Sequence, residues 1–254
     1  MILVLLFAGS FLPAADDAPG YTDGPFLPNS QWRVHDQARP QPPIVAPGTG
    51  DLGVTAPSDA TILFDGHGLD AWVRTDGQPI GDGLQDGCFD VVKTGQLQTK
   101  EEFGDCQIHL EWKTSPNKED RMNWGNSGVF LMGEYEMQVL ESADSFIYAD
   151  GNAGAIYGQS PPLVNPARKA GQWQSFDLFF TAPRFENDVL VSPPYVTIIF
   201  NGVIVQNHQE ILGTVSHRLL PGPYTVNKTK GPLILQDHHS SVMFRNIWIR
   251  PLNP

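Results

Sequence analysis

The stretch Cys106-Gln-Ile-His-Leu-Glu-Trp-Lys113 alternates without a break: Cys106, Ile108, Leu110 and Trp112 fall on one side, Gln107, His109, Glu111 and Lys113 on the other. Successive side chains point to opposite faces in a β-strand, so this period of two predicts a strand with one buried and one polar face. The same period runs from Gln174 to Phe180 and from Met243 to Ile249. Asn201-Gly202 separates two strand-like runs between Val196 and Gln206 and is the commonest two-residue hairpin signal. Asp65-Gly66, Asp82-Gly83, Asp86-Gly87 and Pro221-Gly222 punctuate the rest as turns. No ten-residue amphipathic helix and no internal repeat is present. Short strands without helices must bury their apolar faces against one another, which predicts an all-β, two-sheet antiparallel sandwich. Composition agrees: 17% of the 254 residues are charged, while Gly (25) and Pro (22) are plentiful enough for many turns.

The formal charge of −12 opposes a phosphate backbone and no cluster of Lys and Arg overrides it, so nucleic acid is not an expected partner. Residues 1–12, MILVLLFAGSFL, are apolar, too short to span a bilayer, and followed by Pro13-Ala14-Ala15 and Asp16-Asp17. This pattern reads as a signal peptide over residues 1–15 and predicts export to the periplasm or the exterior. Because no Lys or Arg stands near Met1, a start further upstream or a buried strand is the competing explanation. No transmembrane span is expected in the mature chain. Cys88 and Cys106 are the only cysteines and can pair in an oxidising compartment, although the apolar pattern around Cys106 equally suits a buried free thiol. Residues 16–58 are rich in Pro, Gly, Asp and Thr and lack a period, as a linker does. Phe26, Trp32, Val34 and Ile44 are too apolar for a solvated tether, so this arm is expected to lie extended across a sandwich domain at 59–254.

No phosphate loop, dinucleotide Gly fingerprint, nucleophile elbow or zinc spacing occurs, which removes nucleotide chemistry and zinc hydrolysis. The most polar strand-like run is Tyr135-Glu-Met-Gln-Val-Leu-Glu-Ser142. Glu136 and Gln138 share one face, Tyr135, Met137 and Val139 the other; Glu141 breaks parity, and a bulge at Val139 or Leu140 returns it to the polar face. Two carboxyls on one sheet face are the minimum equipment for acid/base attack on a glycosidic bond, although a solvated acidic edge has the same pattern. Gln236-Asp237-His238-His239 sets imidazoles beside a carboxylate, which makes a base near neutral pH, a metal ligand or merely a closed turn. Trp124, among Asn123, Gly125, Asn126 and Ser127, offers an indole face for a sugar ring, while Trp112 and Trp248 fit the core better. The resulting expectation is a catalytic group of Glu136, Glu141 and His238 facing one cleft with Gln138. No cofactor is expected; a divalent metal such as calcium stays open, because Asp and Glu beside His hold such ions without a fixed spacing.

Read in order, Leu63-Phe-Asp-Gly-His-Gly-Leu-Asp-Ala-Trp72, Glu111-Trp-Lys113, Gly125-Asn-Ser-Gly-Val-Phe130, Tyr135-Glu-Met-Gln-Val-Leu140, Gly154-Ala-Ile-Tyr157 and Gln236-Asp-His238 followed by Phe244-Arg-Asn-Ile247 resemble one family. It is the 3-keto-disaccharide hydrolase domain, also called domain of unknown function 1080. The likeness runs from about residue 61 to residue 251 and rests on the ordered set. Residues 25–47, with Trp32-Arg-Val-His-Asp36 and Arg39-Pro40, are similar to an extension in one exported branch.

The resemblance implies a concanavalin-like sandwich, or jelly roll, and cleavage of glycosides whose C3 hydroxyl has been oxidised to a ketone. That ketone acidifies the hydrogen on C2, so a base can remove it, the C1 substituent can leave and water can add back. Such a site needs a base, a donor for the enolate oxygen and an acid for the leaving group. Glu136, Glu141 and His238 fit the acid and base roles, with Arg245, Gln138 and Asn126 as donors. Trp124, Glu111, Tyr157, Gln236 and Asp237 complete the expected sugar contacts. Where many relatives carry Arg after the Asn-Ser-Gly-Val-Phe-Leu stretch, this chain has Met132. By analogy alone, Glu136-x-Gln138-x-x-Glu141 copies the E-x-D-x-x-E strand of laminarinase-like retaining glycosidases, with Gln for the central Asp. Gln cannot share a proton, which argues against a double displacement. The alternative function is a noncatalytic carbohydrate-binding module, since the same sandwich makes lectins.

Overall fold

A computed structural model of the chain describes residues 18–49, 52–117 and 123–252; the expected signal peptide at 1–15 lies outside them. In chain order the strands begin with β1 (Thr61–Phe64), β2 (Trp72–Arg74), β3 (Leu84–Gln85), β4 (Cys88–Asp90) and β5 (Leu97–Thr99). They continue with β6 (Cys106–Thr114), β7 (Ser127–Leu131), β8 (Tyr135–Val139), β9 (Gln174–Thr181) and β10 (Arg184–Glu186). The last are β11 (Val189–Ser192), β12 (Tyr195–Phe200), β13 (Val203–Glu210), β14 (Ile234–Leu235) and β15 (Val242–Pro251). One antiparallel sheet has the order β13-β12-β9-β6-β15-β4-β3, with β1 also paired to β15, a second has the order β2-β5-β14-β7-β8, and β10 and β11 pair as a separate two-stranded sheet. Ile108, Leu110, Trp112, Phe176 and Phe244 of the first sheet meet Trp72, Leu97, Val129, Met137 and Leu235 of the second in a single apolar core. This is the all-β sandwich that the alternation predicts.

The core face of β6 carries Cys106, Ile108, Leu110 and Trp112, as its pattern requires. Its outer face departs from expectation, for His109 and Glu111 are also fully buried. The cause is a strap of backbone at 53–54 and a ring above them. The Gly53 N–H donates to Glu111 Oε1 at 2.6 Å, Asn246 Nδ2 donates to the Val54 carbonyl at 3.1 Å, and Trp248 stacks on His109 with centroids 5.4 Å apart. The register of β15 slips between Arg245 and Trp248, with Asn246 at φ 46°. That bulge keeps Phe244, Ile247 and Ile249 in the core while Trp248 covers His109. Asn201 and Gly202 take φ 49° and 76°, the left-handed pair that the β12–β13 hairpin needs.

Arm residues 18–49 hydrogen-bond to the sandwich, including the Val45 N–H to the Asn165 carbonyl at 3.0 Å and the Gly48 N–H to the Asn201 carbonyl at 2.7 Å. Of the expected apolar anchors, Val34 alone is fully buried. Phe26 and Ile44 are 54% and 80% exposed and Trp32 is only half-buried, and Leu27, His35 and Pro42 are buried in their stead. Ile44 joins Asn165 through its backbone, and Phe26 carries the Arg33 guanidinium on its ring at 3.8 Å, so neither side chain needs the core. Cys88 and Cys106 are both buried free thiols.

Candidate functional site

Strand β8 forms one edge of the five-stranded sheet. It pairs with β7 in continuous register from Ser127↔Val139 to Leu131↔Tyr135. Tyr135, Met137 and Val139 therefore enter the core, and Glu136 and Gln138 point outward beside Gly128 and Phe130. Residues 154–157 add a further rung: the Gln138 N–H donates to the Ala155 carbonyl at 3.0 Å and the Tyr157 N–H to the Glu136 carbonyl at 3.1 Å. Over this face lies a cavity of about 510 Å³, whose lining includes Glu136, Gln138, Asn126, Tyr157, Gln236 and His238.

Glu136 is 7% exposed, and its carboxyl has no hydrogen-bond or ion-pair partner among the described residues. Burial alone pushes its pKa up to about 8, because removal from water penalises the charged form. The carboxyl lies so close to Gly128 that a Cβ there would stand 2.5 Å from Glu136 Oε1 and force the Glu136 side chain to move. Gln138 Nε2 donates to Asn126 Oδ1 at 3.3 Å. The amide oxygens of Gln138 and Gln236 are buried without a partner among the described residues.

Facing this floor is a wall that the sequence pattern did not reveal. The hydroxyls of Tyr148 and Tyr157 are 2.8 Å apart, and the Tyr157 hydroxyl is 2.9 Å from His217 Nδ1. Burial raises both tyrosines above their ordinary pKa. Burial, followed by the nearby His35, Arg218 and His238, lowers that of His217 and keeps its ring neutral around pH 7. Tyr21 of the arm also lines the cavity. The long-range pairings of residues 21, 148 and 217 leave no local period, although the Gly-Ala-Ile-Tyr157 motif had marked one member.

Four expected positions lie elsewhere, as does one residue of the acid/base group. Glu141 does not line the cavity. With β8 unbulged, Leu140 takes the place after Gln138 and packs with Ile147 and Tyr148, while the Glu141 carboxylate accepts the backbone N–H groups of Ala143 and Asp144 at 3.0 and 3.1 Å. Trp124 is 6% exposed and donates its indole N–H to the Ser115 carbonyl, so its face is not free for a sugar. Asp237 accepts the His239 N–H at 2.9 Å and closes a turn. Glu111 and Arg245 pair at 2.7 Å on the outer face of the other sheet, because β6 and β15 belong to that layer. Met132 is buried in the core. Among the described residues no group of three or more His, Cys, Asp and Glu is arranged to hold a metal ion.

A two-sheet sandwich with a cavity of amides, carboxyl and aromatic rings on one outer face has the build of a carbohydrate-related domain, glycosyl hydrolase-like or sugar-binding. Residues 59–250 match the model of the 3-keto-α-glucoside-1,2-lyase-like domain, and the chain belongs to that family. A candidate glycosyl hydrolase from Parabacteroides distasonis of known crystal structure is 45% identical, with a TM-score of 0.73 over 84% of this chain and 93% of that one. A second candidate glycosyl hydrolase from the same organism, 21% identical over 77% of this chain and 94% of that one, shares the fold with a TM-score of 0.55. No curated protein matches the chain.

Proposed function

We propose that the protein is an exported enzyme that cleaves glycosides bearing a C3 ketone, with Glu136 as the base. The observation that carries this reading is the state of Glu136: buried at the cavity floor, unpaired among the described residues and poised at about 8. A carboxylate that binds a proton so strongly is a far better base than an exposed one, and its pKa lies close to working pH. In the first step Glu136 takes the C2 proton, and the C2–H electrons form the enolate conjugated to the C3 carbonyl. The C1–O bond then breaks, the leaving oxygen gains a proton and a C1=C2 double bond remains; addition of water across it completes hydrolysis. The amides of Gln138, Asn126 and Gln236 provide donors for the enolate oxygen, and the Tyr157–His217 pair supplies the proton for the leaving group. The family match supports the 3-keto substrate, and the apolar run at residues 1–12 supports export.

Purified protein is incubated with a 3-keto disaccharide and with its unoxidised parent, with and without chelator. Turnover of the keto form alone is expected, with kcat/KM rising tenfold per pH unit to a plateau above about pH 8 as Glu136 ionises. Binding of either sugar without turnover would overturn the enzymatic reading in favour of a noncatalytic module.

A further inference from the structure

His35 and Asp150 lie 115 residues apart in sequence, and both side chains are fully buried. Asp150 accepts two hydrogen bonds from the one histidine: Oδ2 takes the His35 backbone N–H at 3.0 Å and Oδ1 takes ring Nδ1 at 3.0 Å. His35 adopts φ 54° there, a left-handed backbone that non-glycine residues rarely occupy. The imidazole then rests on Tyr148 with centroids 3.9 Å apart, 4.9 Å from Tyr157 and 5.2 Å from His217. Its Nε2 has no partner among the described residues. One ring thus touches all three members of the hydroxyl–imidazole chain that walls the cavity.

We propose that His35 and Asp150 are a positioning pair, through which the N-terminal arm fixes the Tyr148–Tyr157–His217 chain in working geometry. The inference rests on the reading of the cavity as an active site. Attachment of the arm does not account for the pair. The arm is already fastened by backbone bonds at Val45 and Gly48, and a buried polar pair stabilises a fold no better than apolar residues of similar volume. What such a pair supplies is a fixed ring orientation. The bond from Nδ1 to Asp150 sets both the rotamer and the tautomer, so the flat face that supports Tyr148 cannot turn. Tyr148 in turn sets the Tyr157 hydroxyl, and Tyr157 sets which His217 nitrogen is engaged. A second arm residue acts on the same chain from the open side. Tyr21 lies 6.1 Å from Tyr148 and 6.2 Å from His217, and the Arg218 guanidinium, paired with Asp23, sits 3.9 Å over its ring.

The test uses the full chain. His35→Ala is expected to lower kcat by about 10- to 100-fold with KM within about threefold, since a misplacement near 1 Å at a reacting group costs that much. His35→Asn, whose amide N–H reaches Asp150 and whose backbone tolerates φ near 54°, should recover part of the loss. In ¹⁵N spectra the His217 Nδ1 resonance, held by Tyr157 in the native chain, should move in His35→Ala and return towards its native position in His35→Asn. Native kcat in His35→Ala, or a kcat that falls in step with Tm while the His217 resonance stays put, overturns the proposal. If His35→Ala does not fold, Asp150→Asn carries the same measurements. Absence of turnover in the native chain would instead overturn the functional reading, and the positioning pair is then decided by the His217 resonance alone.

Discussion

Glu136→Gln separates the cost of a buried charge from its use. The carboxyl releases its proton near 4.5 in the unfolded chain and at about 8 in the folded one. Between those values the unfolded state has lost a proton that the folded state keeps, so stability falls as pH rises from 4.5 to 8 and is level above. At about 1.4 kcal/mol for each tenfold in proton affinity, that span sets a ceiling of ~5 kcal/mol; local relaxation and water entry bring the expected cost to ~2–5 kcal/mol. Glutamine keeps the shape and cannot ionise. The variant should therefore melt with the native protein at pH 4.5 and above it by roughly 5–15 °C at pH 8.5, taking about 2–4 °C for each kcal/mol in a domain of this size. Melting curves by circular dichroism across pH 4.5–9 measure the difference between the two proteins, which cancels every other titrating group. Turnover of the keto sugar should fall at least 10²-fold in the same variant. Parallel curves across the range would refute the buried, uncompensated carboxylate and with it the base.

The remaining predictions concern the supports of the site and the opposite face. Gly128→Ala places a methyl 2.5 Å from Glu136 Oε1 and 2.9 Å from the Phe130 ring, so the chain should fold and lose about 10-fold or more in kcat/KM. Glu111→Gln leaves Arg245 without its carboxylate partner and should cost ~3 kcal/mol in urea unfolding near pH 6. Burial opposes ionisation of Glu111, yet the His109 ring 3.6 Å away and hydrogen bonds from Asn246, Gly53 and Arg245 hold it at about 2, so its contribution is present above 4.5 and disappears as pH falls through 2. Burial likewise opposes charging of His109, but Asp177 and Glu111 raise it to about 9, so that contribution is full below 6.5 and disappears as pH rises through 9. Cys106, pushed up to about 12 by burial, should leave turnover unchanged in Cys106→Ser and resist thiol reagents in the native state.

The sandwich was legible because its signals are local. The alternation of β6 and the Asn201-Gly202 turn act within a few residues, and each appears where expected. Half of the candidate site was legible for the same reason: Glu136 and Gln138 share a face as soon as the segment is a strand. The bulge that would have added Glu141 was not, since the register of β7 against β8 is fixed by the core demand of Met137 and Val139 and leaves no extra residue. The wall of Tyr148, Tyr157 and His217 is joined across 9 and 60 residues, and His35 behind it reaches it across more than a hundred, which no period records.

Two of the buried glutamates, Glu111 and Glu136, show how burial alone differs from burial with partners. Glu111 and Glu136 lie on outer faces of opposite sheets and are both nearly inaccessible, at 0% and 7%. Glu111 receives the Gly53 N–H, Asn246 Nδ2 and the Arg245 guanidinium, and its affinity for a proton falls. Its charge is spent on holding the strap and β15, and nothing of it remains for a ligand. Glu136 receives none of these, and its affinity rises to match a proton that chemistry must move. A fold selected for stability alone would place a partner beside Glu136 or replace it with an apolar residue, since either is cheaper than an unpaired carboxyl at a cavity floor. The uncompensated group lies against Gly128 and beside the buried amide oxygens of Gln138 and Gln236, at the floor of the cavity. Under the proposed function, a keto sugar brings the acidic C–H whose proton this carboxyl takes.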